Sequence, residues 1–242
     1  MIKKFLKEKL KIFLFKLNFK LEKIYVQNNY NLETPDLSLL KSMSNSRGIL
    51  HIGSHRGSEA AVYEWFGKKV IWIEANPKIF IDLKINIKQF KFQKAICALL
   101  SNKDNERKNF YISNNDGASS SIYEFGNLSS GAYSLWKNKN LKMIDEINLK
   151  TKMLDTVIEE NNIYIKNYDH WIIDVQGAEL LVLEGSKKNI KFCNSIYIEV
   201  SKGDVYKNGS QWEDIKKFLN EFGLKQIKEI QSEHENVLFT RI

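Results

Sequence analysis

The sequence predicts an α/β fold in which a mostly parallel, doubly wound sheet carries helices on both faces and ends in an antiparallel hairpin. Three observations carry that expectation. Short β-branched and aromatic runs alternate with longer segments whose apolar residues recur at helical spacing. Glycines and polar residues gather just after the apolar runs, where open α/β sheets bind their ligands. Finally, the chain has only two prolines, Pro35 and Pro77, and no Pro-rich or Gly/Ser-rich linker that would split its body. Residues 47–242 therefore read as one domain behind an N-terminal arm of residues 1–46.

The arm is basic. Residues 1–25 hold eight Lys and two Glu, most of the formal net charge of +8, so the body is nearly neutral and does not suit a nucleic-acid binder. Phe5, Leu6, Leu10, Phe13, Leu14, Leu17, Leu21 and Ile24 recur at helical spacing between the lysines. Lys interrupts every run, and the longest, Ile12–Phe15, is far short of the ~20 apolar residues of a membrane span. The arm reads as an amphipathic helix that suits an anionic membrane surface, its own domain or a partner subunit. A cytoplasmic protein is expected, with peripheral contact to the membrane's cytoplasmic face as one option. Thr34, Pro35 and Asp36 then mark the start of a short helix.

Within the body, Ile49–Gly53 reads as a buried strand and Ser58–Phe66 as a helix. Val70–Glu74 is a second strand, Pro77–Phe90 a helix and Phe92–Ala98 a third strand. Arg107–Ile112 is a further strand, and residues 113–150 show little periodicity. That stretch, with Tyr123, Phe125, Tyr133 and Trp136 among Ser, Asn and Gly, reads as a lid or substrate insertion, or equally as surface decoration. Met153–Glu160 is a helix, His170–Val175 a strand, Ala178–Lys191 a helix, Ser195–Val200 a strand and Trp212–Phe222 a helix. Leu224–Ile230 and Asn236–Ile242 form the hairpin at one sheet edge.

The strand ends carry the chemistry. Gly53 and Gly57 flank Ser54, His55 and Arg56, a spacing that lets backbone approach a ligand, although a plain tight turn explains it too. Glu74 closes the second strand, where a carboxylate can accept both hydroxyls of a ribose. Asp174 ends a strongly apolar strand, followed by Gln176-Gly177 and by Glu179 at a helix start. Glu199 reaches the same rim from the next strand. Glu179 also suits a helix cap, and Glu199 a surface ion pair. Cys97 and Cys193 stand far apart, with no ligand cluster for a metal, and read as buried small residues in a reducing compartment.

These blocks resemble the FkbM family of methyltransferases. The resemblance rests on HIGSHRG at 51–57, WIEANP at 72–77, NNDGASSSIYEFG at 114–126, TKMLDTVIEEN at 151–161 and DVQGAELLVLEG at 174–185. IYIEVS at 196–201 and SEHENVLF at 232–239 add to it. It implies a Rossmann-like fold with a seven-stranded sheet, S-adenosylmethionine as methyl donor, and O-methylation, often of sugar hydroxyls. Two departures stand out. Family members often begin the first motif with an acid where this chain has His51, which removes one expected polar contact to the cofactor. Glu235 and Asn236 replace a common Gly-Trp-Gly after His234.

On that resemblance, Gly53, Ser54, His55 and Gly57 form the turn under the methionine part of the cofactor. Glu74, with Ala75 and Asn76, takes the ribose, and Ala95 and Ile96 flank the adenine. Ser119 and Ser120 line the mouth. Asp174 and His55 are the candidates for general base or for orienting the acceptor. Gln176, Glu179, Glu199 and Tyr123 are assigned to the acceptor, a glycan or small molecule. A catalytically silent module on the same fold remains an alternative. An NAD(P)-dependent oxidoreductase fits less well, because G-x-G-x-x-G is absent and the DVQGAEL block has no place in it. The oligomeric state and the acceptor stay open.

Overall fold

The computed structural model describes residues 37–128 and 140–242. The basic arm, the Thr34–Asp36 cap, Tyr133 and Trp136 lie outside the described residues. The elements run α1 (Leu37–Asn45), β1 (Gly48–Ile52), α2 (Ala60–Trp65), β2 (Lys69–Glu74), α3 (Pro77–Ile87) and β3 (Gln93–Cys97). They continue with β4 (Leu99–Leu100), β5 (Arg107–Ser113), β6 (Met143–Lys152), α4 (Leu154–Glu160) and β7 (His170–Ile173). The rest are α5 (Glu179–Glu184), β8 (Ser195–Ser201), α6 (Trp212–Glu221), β9 (Leu224–Gln226) and β10 (His234–Arg241). Among the described residues no helix is long and apolar enough to cross a membrane.

Seven strands form one sheet in the order β3-β2-β1-β7-β8-β10-β9. The pairs among the first five strands are all parallel, and β10 runs antiparallel to both β8 and β9. The expected hairpin is present, with β9 outermost and β10 inserted between β9 and β8. Strand order reverses between β1 and β7, so the crevice beyond their carboxyl ends is the place for a ligand.

Alternation along the strands divides the core. Leu50, Ile52, Ile71, Ile73, Trp171 and Ile173 pack in one cluster with α4, α5 and α6 through Leu154, Val182 and Ile215. The opposite face of β1 and β2 meets α2 and α3. There His51 stacks on Trp72 at 4.9 Å, with its Nδ1 3.2 Å from the Tyr63 hydroxyl. Helix α6 shows why these segments are helical: Trp212, Ile215, Phe218 and Leu219 share its buried face, and Glu213 and Asp214 sit in its first turn, favourable to the helix dipole.

Several elements differ from the sequence reading, each for a tertiary reason. The stretch to residue 150 is not all irregular. Strand β6 occupies its end and pairs with β5 and β4 in a second, three-stranded sheet. Its alternation is confined to its second half, where Ile147, Leu149 and Thr151 turn inward between exposed Glu146, Asn148 and Lys150. The helix expected over Ala178–Lys191 stops at Glu184, with a 3-10 turn at Ile190–Phe192. Gly185 accepts from Asp155 N at 2.9 Å, and the Asp155 carboxylate takes Lys188 N at 2.9 Å and Asn189 Nδ2 at 2.8 Å, which redirects the chain. The strand expected over Leu224–Ile230 is only three residues long. Cys193 is buried as expected, but Cys97 is exposed because β3 is a sheet edge.

Arg241, on β10, ties three segments together. Its guanidinium donates to the carbonyls of Cys193 at 2.9 Å, Ile190 at 2.8 Å and Phe222 at 2.6 Å. Replacement strands three carbonyls, so Arg241→Ala is expected to lower the unfolding free energy by about 2 kcal/mol. Urea denaturation checks this: the midpoint should fall with an unchanged slope, and an unmoved midpoint would rule the staple out.

Candidate active site

The ends of β1 and β7 meet at the switch point. Gly53 has φ +77°, and a Cβ built there would overlap the Asp174 carbonyl oxygen, so only glycine lets these two backbones come this close. Gly53 N donates to Ile73 O at 2.9 Å, which pins the turn to β2. His55 follows in the left-handed region at φ 47° and donates its backbone N–H to Glu74 Oε2 at 2.8 Å. The other oxygen, Oε1, accepts from Asn76 N at 2.8 Å. Burial raises the Glu74 pKa, and these backbone N–H groups work against that rise. Asn76 caps α3 by accepting from Lys78 N at 3.0 Å. Glu74 is thus fixed by backbone on both sides, with a lone pair on each oxygen still available.

A cavity of about 570 Å³, counting its open mouth, lies over this turn. One wall is apolar: Ala98, Leu99 and Leu100 from the β3–β4 junction, with Phe110 and Ile122. The floor is Gly53, Glu74 and Ala75, and the far end is Asp174 and Gln176. Gly117, Ala118 and Ser120 cover it from the loop after β5. That loop is clasped to the body. Arg56 pairs with Asp116 and, at 2.9 Å, with Asp82, while His55 Nε2 lies 3.0 Å from the Asp116 carbonyl oxygen. The guanidinium beside it holds the Asp116 carboxyl below its ordinary range.

The far end is acidic and buried. Gln176 Nε2 donates to Asp174 Oδ1 and, at 3.0 Å, to Glu199 Oε2. Gln176 Oε1 accepts from the Tyr206 hydroxyl. Glu199 also meets His234 Nε2 at 3.1 Å, and His234 Nδ1 meets Ser201 Oγ at 2.9 Å. Burial, reinforced by Glu199, pushes the Asp174 pKa up to about 8. Glu179 and Glu199 are raised as well, burial being the main cause for both. Crowded together, with Glu179 and Glu199 buried and Asp174 half-buried at the cavity wall, the three carboxyls disfavour one another's charge.

Of the residues assigned from sequence, Gly53, His55, Glu74, Ala75, Ser120, Asp174 and Gln176 come together around the cavity. The others stand behind it. Ser54 Oγ donates to Ile73 O at 3.2 Å, and Gly57 rests on Leu83. Asn76 serves as the cap of α3. Ser119 donates its backbone N–H to Ser113 Oγ at 3.0 Å. Ala95 and Ile96 do not line the cavity; Ile96 packs on the main core, and the next residues along, Ala98–Leu100, take the wall. Glu179 accepts from Val175 N and Gly177 N, both at 3.1 Å, and so holds the turn rather than facing the cavity. Glu199 reaches the cavity only through Gln176, and Tyr123 packs in a small cluster with Phe125 and Tyr206. Tyr206 lies in a loop, and no motif in the sequence marks it. His51 points to Tyr63 and Trp72, so the departure at that position leaves the cavity lining untouched.

Residues 51–225 match the methyltransferase FkbM domain over most of the chain. The chain belongs to the FkbM methyltransferase family. No curated protein matches it. Similar solved structures include a TehB-like SAM-dependent methyltransferase from Corynebacterium glutamicum, 13% identical, with 85% of this chain and 86% of that one covered and a TM-score of 0.45. Magnesium protoporphyrin IX methyltransferase from Synechocystis with bound SAM is 9% identical, with coverages of 84% and 74% and a TM-score of 0.44. Aeropyrum pernix fibrillarin in complex with S-adenosyl-L-methionine is 13% identical, with coverages of 84% and 72% and a TM-score of 0.44.

The residues of the cavity fit S-adenosylmethionine, the methyl donor that the resemblance implies. Glu74 offers two fixed acceptor oxygens for the ribose hydroxyls. The apolar wall at Ala98–Leu100 suits the flat adenine. The side-chain-free backbone at Gly53 suits the close approach of the methionine part. Held by these residues, S-adenosylmethionine would supply an electrophilic methyl carbon on a sulfonium centre.

The buried ionisable groups also set a pH dependence of stability. Asp174, raised to about 8, keeps in the folded state a proton that the unfolded chain releases near pH ~4. Its contribution is complete below that lower value and is lost as pH rises through about 8. Burial lowers His170 to about 4, so its effect has the opposite sign and is confined below its ordinary value of 6.5. Between pH ~6.5 and ~8 the carboxyls act without that opposition, and the melting temperature should fall across this window. In Asp174→Asn the decline should flatten; an equally steep decline would show that Asp174 is not the group titrating.

Proposed function

We propose that this methyltransferase transfers the methyl group of S-adenosylmethionine to a hydroxyl oxygen of a sugar in a glycan or glycoconjugate, with Asp174 as general base. The observation that carries the reading is Asp174 itself: a half-buried carboxyl on the cavity wall, anchored by Gln176 and adjoining the Gly53 turn. A sugar hydroxyl is a weak nucleophile and gains from a base whose affinity for the proton is matched to the working pH. With its pKa raised to about 8, Asp174 binds a proton more tightly than an exposed carboxylate and is ionised in a useful fraction near neutrality. Much of the remaining acceleration comes from holding hydroxyl and methyl carbon in line and away from water. Residues 113–128, clasped by Arg56, serve as the cover that excludes it.

His55 is the weaker candidate for the base. Its Nε2 is engaged at the Asp116 carbonyl, which suits holding the cover. Glu74 accepts both ribose hydroxyls in this reading. Loss of two hydrogen bonds to a charged acceptor costs about 3 kcal/mol. Glu74→Ala should therefore weaken S-adenosylmethionine binding by about 100-fold in calorimetry, with NAD and NADP as negative controls. Unchanged affinity would remove the ribose assignment.

Asp174→Asn should still bind S-adenosylmethionine yet lose turnover by about 100-fold or more, measured as S-adenosylhomocysteine formed with a panel of sugar acceptors. Retained turnover would reject the base role. A wild-type protein that binds the cofactor and methylates no sugar would favour a silent module or another acceptor.

A further inference from the structure

The buried carboxyls at the far end of the cavity are linked by a single amide. Gln176 sits in the left-handed backbone region at φ 56°, a conformation held in place by its neighbours. Ser121 Oγ donates to its carbonyl oxygen at 2.6 Å. Tyr206 lies against Gly177, where a Cβ would stand 2.9 Å from the Tyr206 Cβ, and its hydroxyl donates to Gln176 Oε1. An amide has one acceptor end and one donor end. With the acceptor end occupied by the Tyr206 hydroxyl, the donor end must face Asp174 and Glu199. A flipped amide would set an oxygen against two carboxyls and leave the Tyr206 hydroxyl facing an NH₂ group.

The Tyr206 ring is itself fixed. It packs on Phe125 with centroids 5.6 Å apart, and backbone bonds from Gly126 N to Val205 O at 2.9 Å and from Leu128 N to Asp204 O at 2.9 Å stitch its loop to the cover segment. The ring is buried, so its hydroxyl has no bulk water to turn to.

We propose that Tyr206 and Gln176 are positioning residues for methyl transfer: the Tyr206 hydroxyl locks the Gln176 amide so that its Nε2 sits between Asp174 and Glu199 and holds the ionised form of that pair. The proposal rests on the reading of Asp174 as the base. The groups that bear on Asp174 are Glu199 on β8, His234 on β10, Glu179 on α5 and Glu59 before α2. Glu199 and Glu59 oppose its ionisation, and His234 and the Gln176 amide favour it. The amide is the one of these whose direction a neighbouring hydroxyl dictates.

Tyr206→Phe keeps the ring and removes the hydroxyl, with its bonds to Gln176 and to Ser119. The amide then loses the anchor at its acceptor end, its Nε2 bonds to the two carboxyls loosen, the first ionisation of the pair becomes harder, and its midpoint should move to higher pH by about one unit, a tenfold change in proton affinity. Carbon-13 NMR of protein labelled at the Asp carboxyl carbons reads this directly, with the Asp174 signal assigned by its loss in Asp174→Asn. No acceptor is needed. A cooperative thermal transition checks that the variant is folded. Gln176→Met, which removes the donor while keeping the length, provides a second route if Tyr206→Phe does not fold, and it should move the midpoint in the same direction. An unmoved Asp174 midpoint in a folded variant overturns the proposal. Failure of the base reading looks different: turnover survives Asp174→Asn, while the titration still responds to Tyr206.

Discussion

The closeness of two backbones, at Gly53 and at the Asp174 carbonyl, governs the whole ligand end of this protein. Parallel strands β1 and β7 are still joined there, Asp174 N donating to Ile52 O at 3.0 Å, at the point where the strand order reverses. A side chain on Gly53 would push them apart. Beside that contact Glu74, Asp174 and the apolar wall meet around the cavity. From that contact follow the left-handed turn at His55, the backbone bonds that clamp Glu74, and the aim of Asp174 into the cavity instead of the core.

The second constraint is charge in a dry place. Nature usually pairs a buried carboxylate with a cation, and three crowded carboxyls with one imidazole do not balance near neutrality. The arrangement is kept by hydrogen bonds of fixed polarity: the Val175 and Gly177 amides on Glu179, and the Gln176 side chain between Asp174 and Glu199. Such an arrangement favours a proton-accepting role over maximal stability, as sites of chemistry often do.

The sequence made most of this legible where local pattern and tertiary position agree. Strands buried on both faces, such as Ile49–Ile52 and Trp171–Ile173, stand out as apolar runs, and the rule that ligands gather at strand ends led straight to Gly53, Glu74 and Asp174. Legibility failed where a partner distant in sequence decides. Strand β6 alternates only from Glu146 to Thr151 and its partner β5 stands on the far side of the insertion, and α5 is cut short by Asp155, a residue of α4. The wall at Ala98–Leu100 was displaced by a few residues because β3 and β4 are nearly continuous in sequence. Glu179 has the composition of a ligand and the geometry of a turn clamp. Tyr206 sits in a loop whose meaning appears only when Gly177 and Phe125 are beside it.

The place of β10 has a consequence for how the chain is made. A protein emerges from the ribosome from its amino end, and here the latest of the strands is not the outermost. Until residues 234–241 are available, β8 presents a bare edge and β9 has nothing to pair with. Such an edge invites pairing with another chain. His234, which meets Glu199, arrives on that same strand. The sheet and the acidic end of the cavity are therefore completed in one late event, and a nascent chain lacking β10 is expected to need shelter from a chaperone rather than to wait as a stable, partly working intermediate.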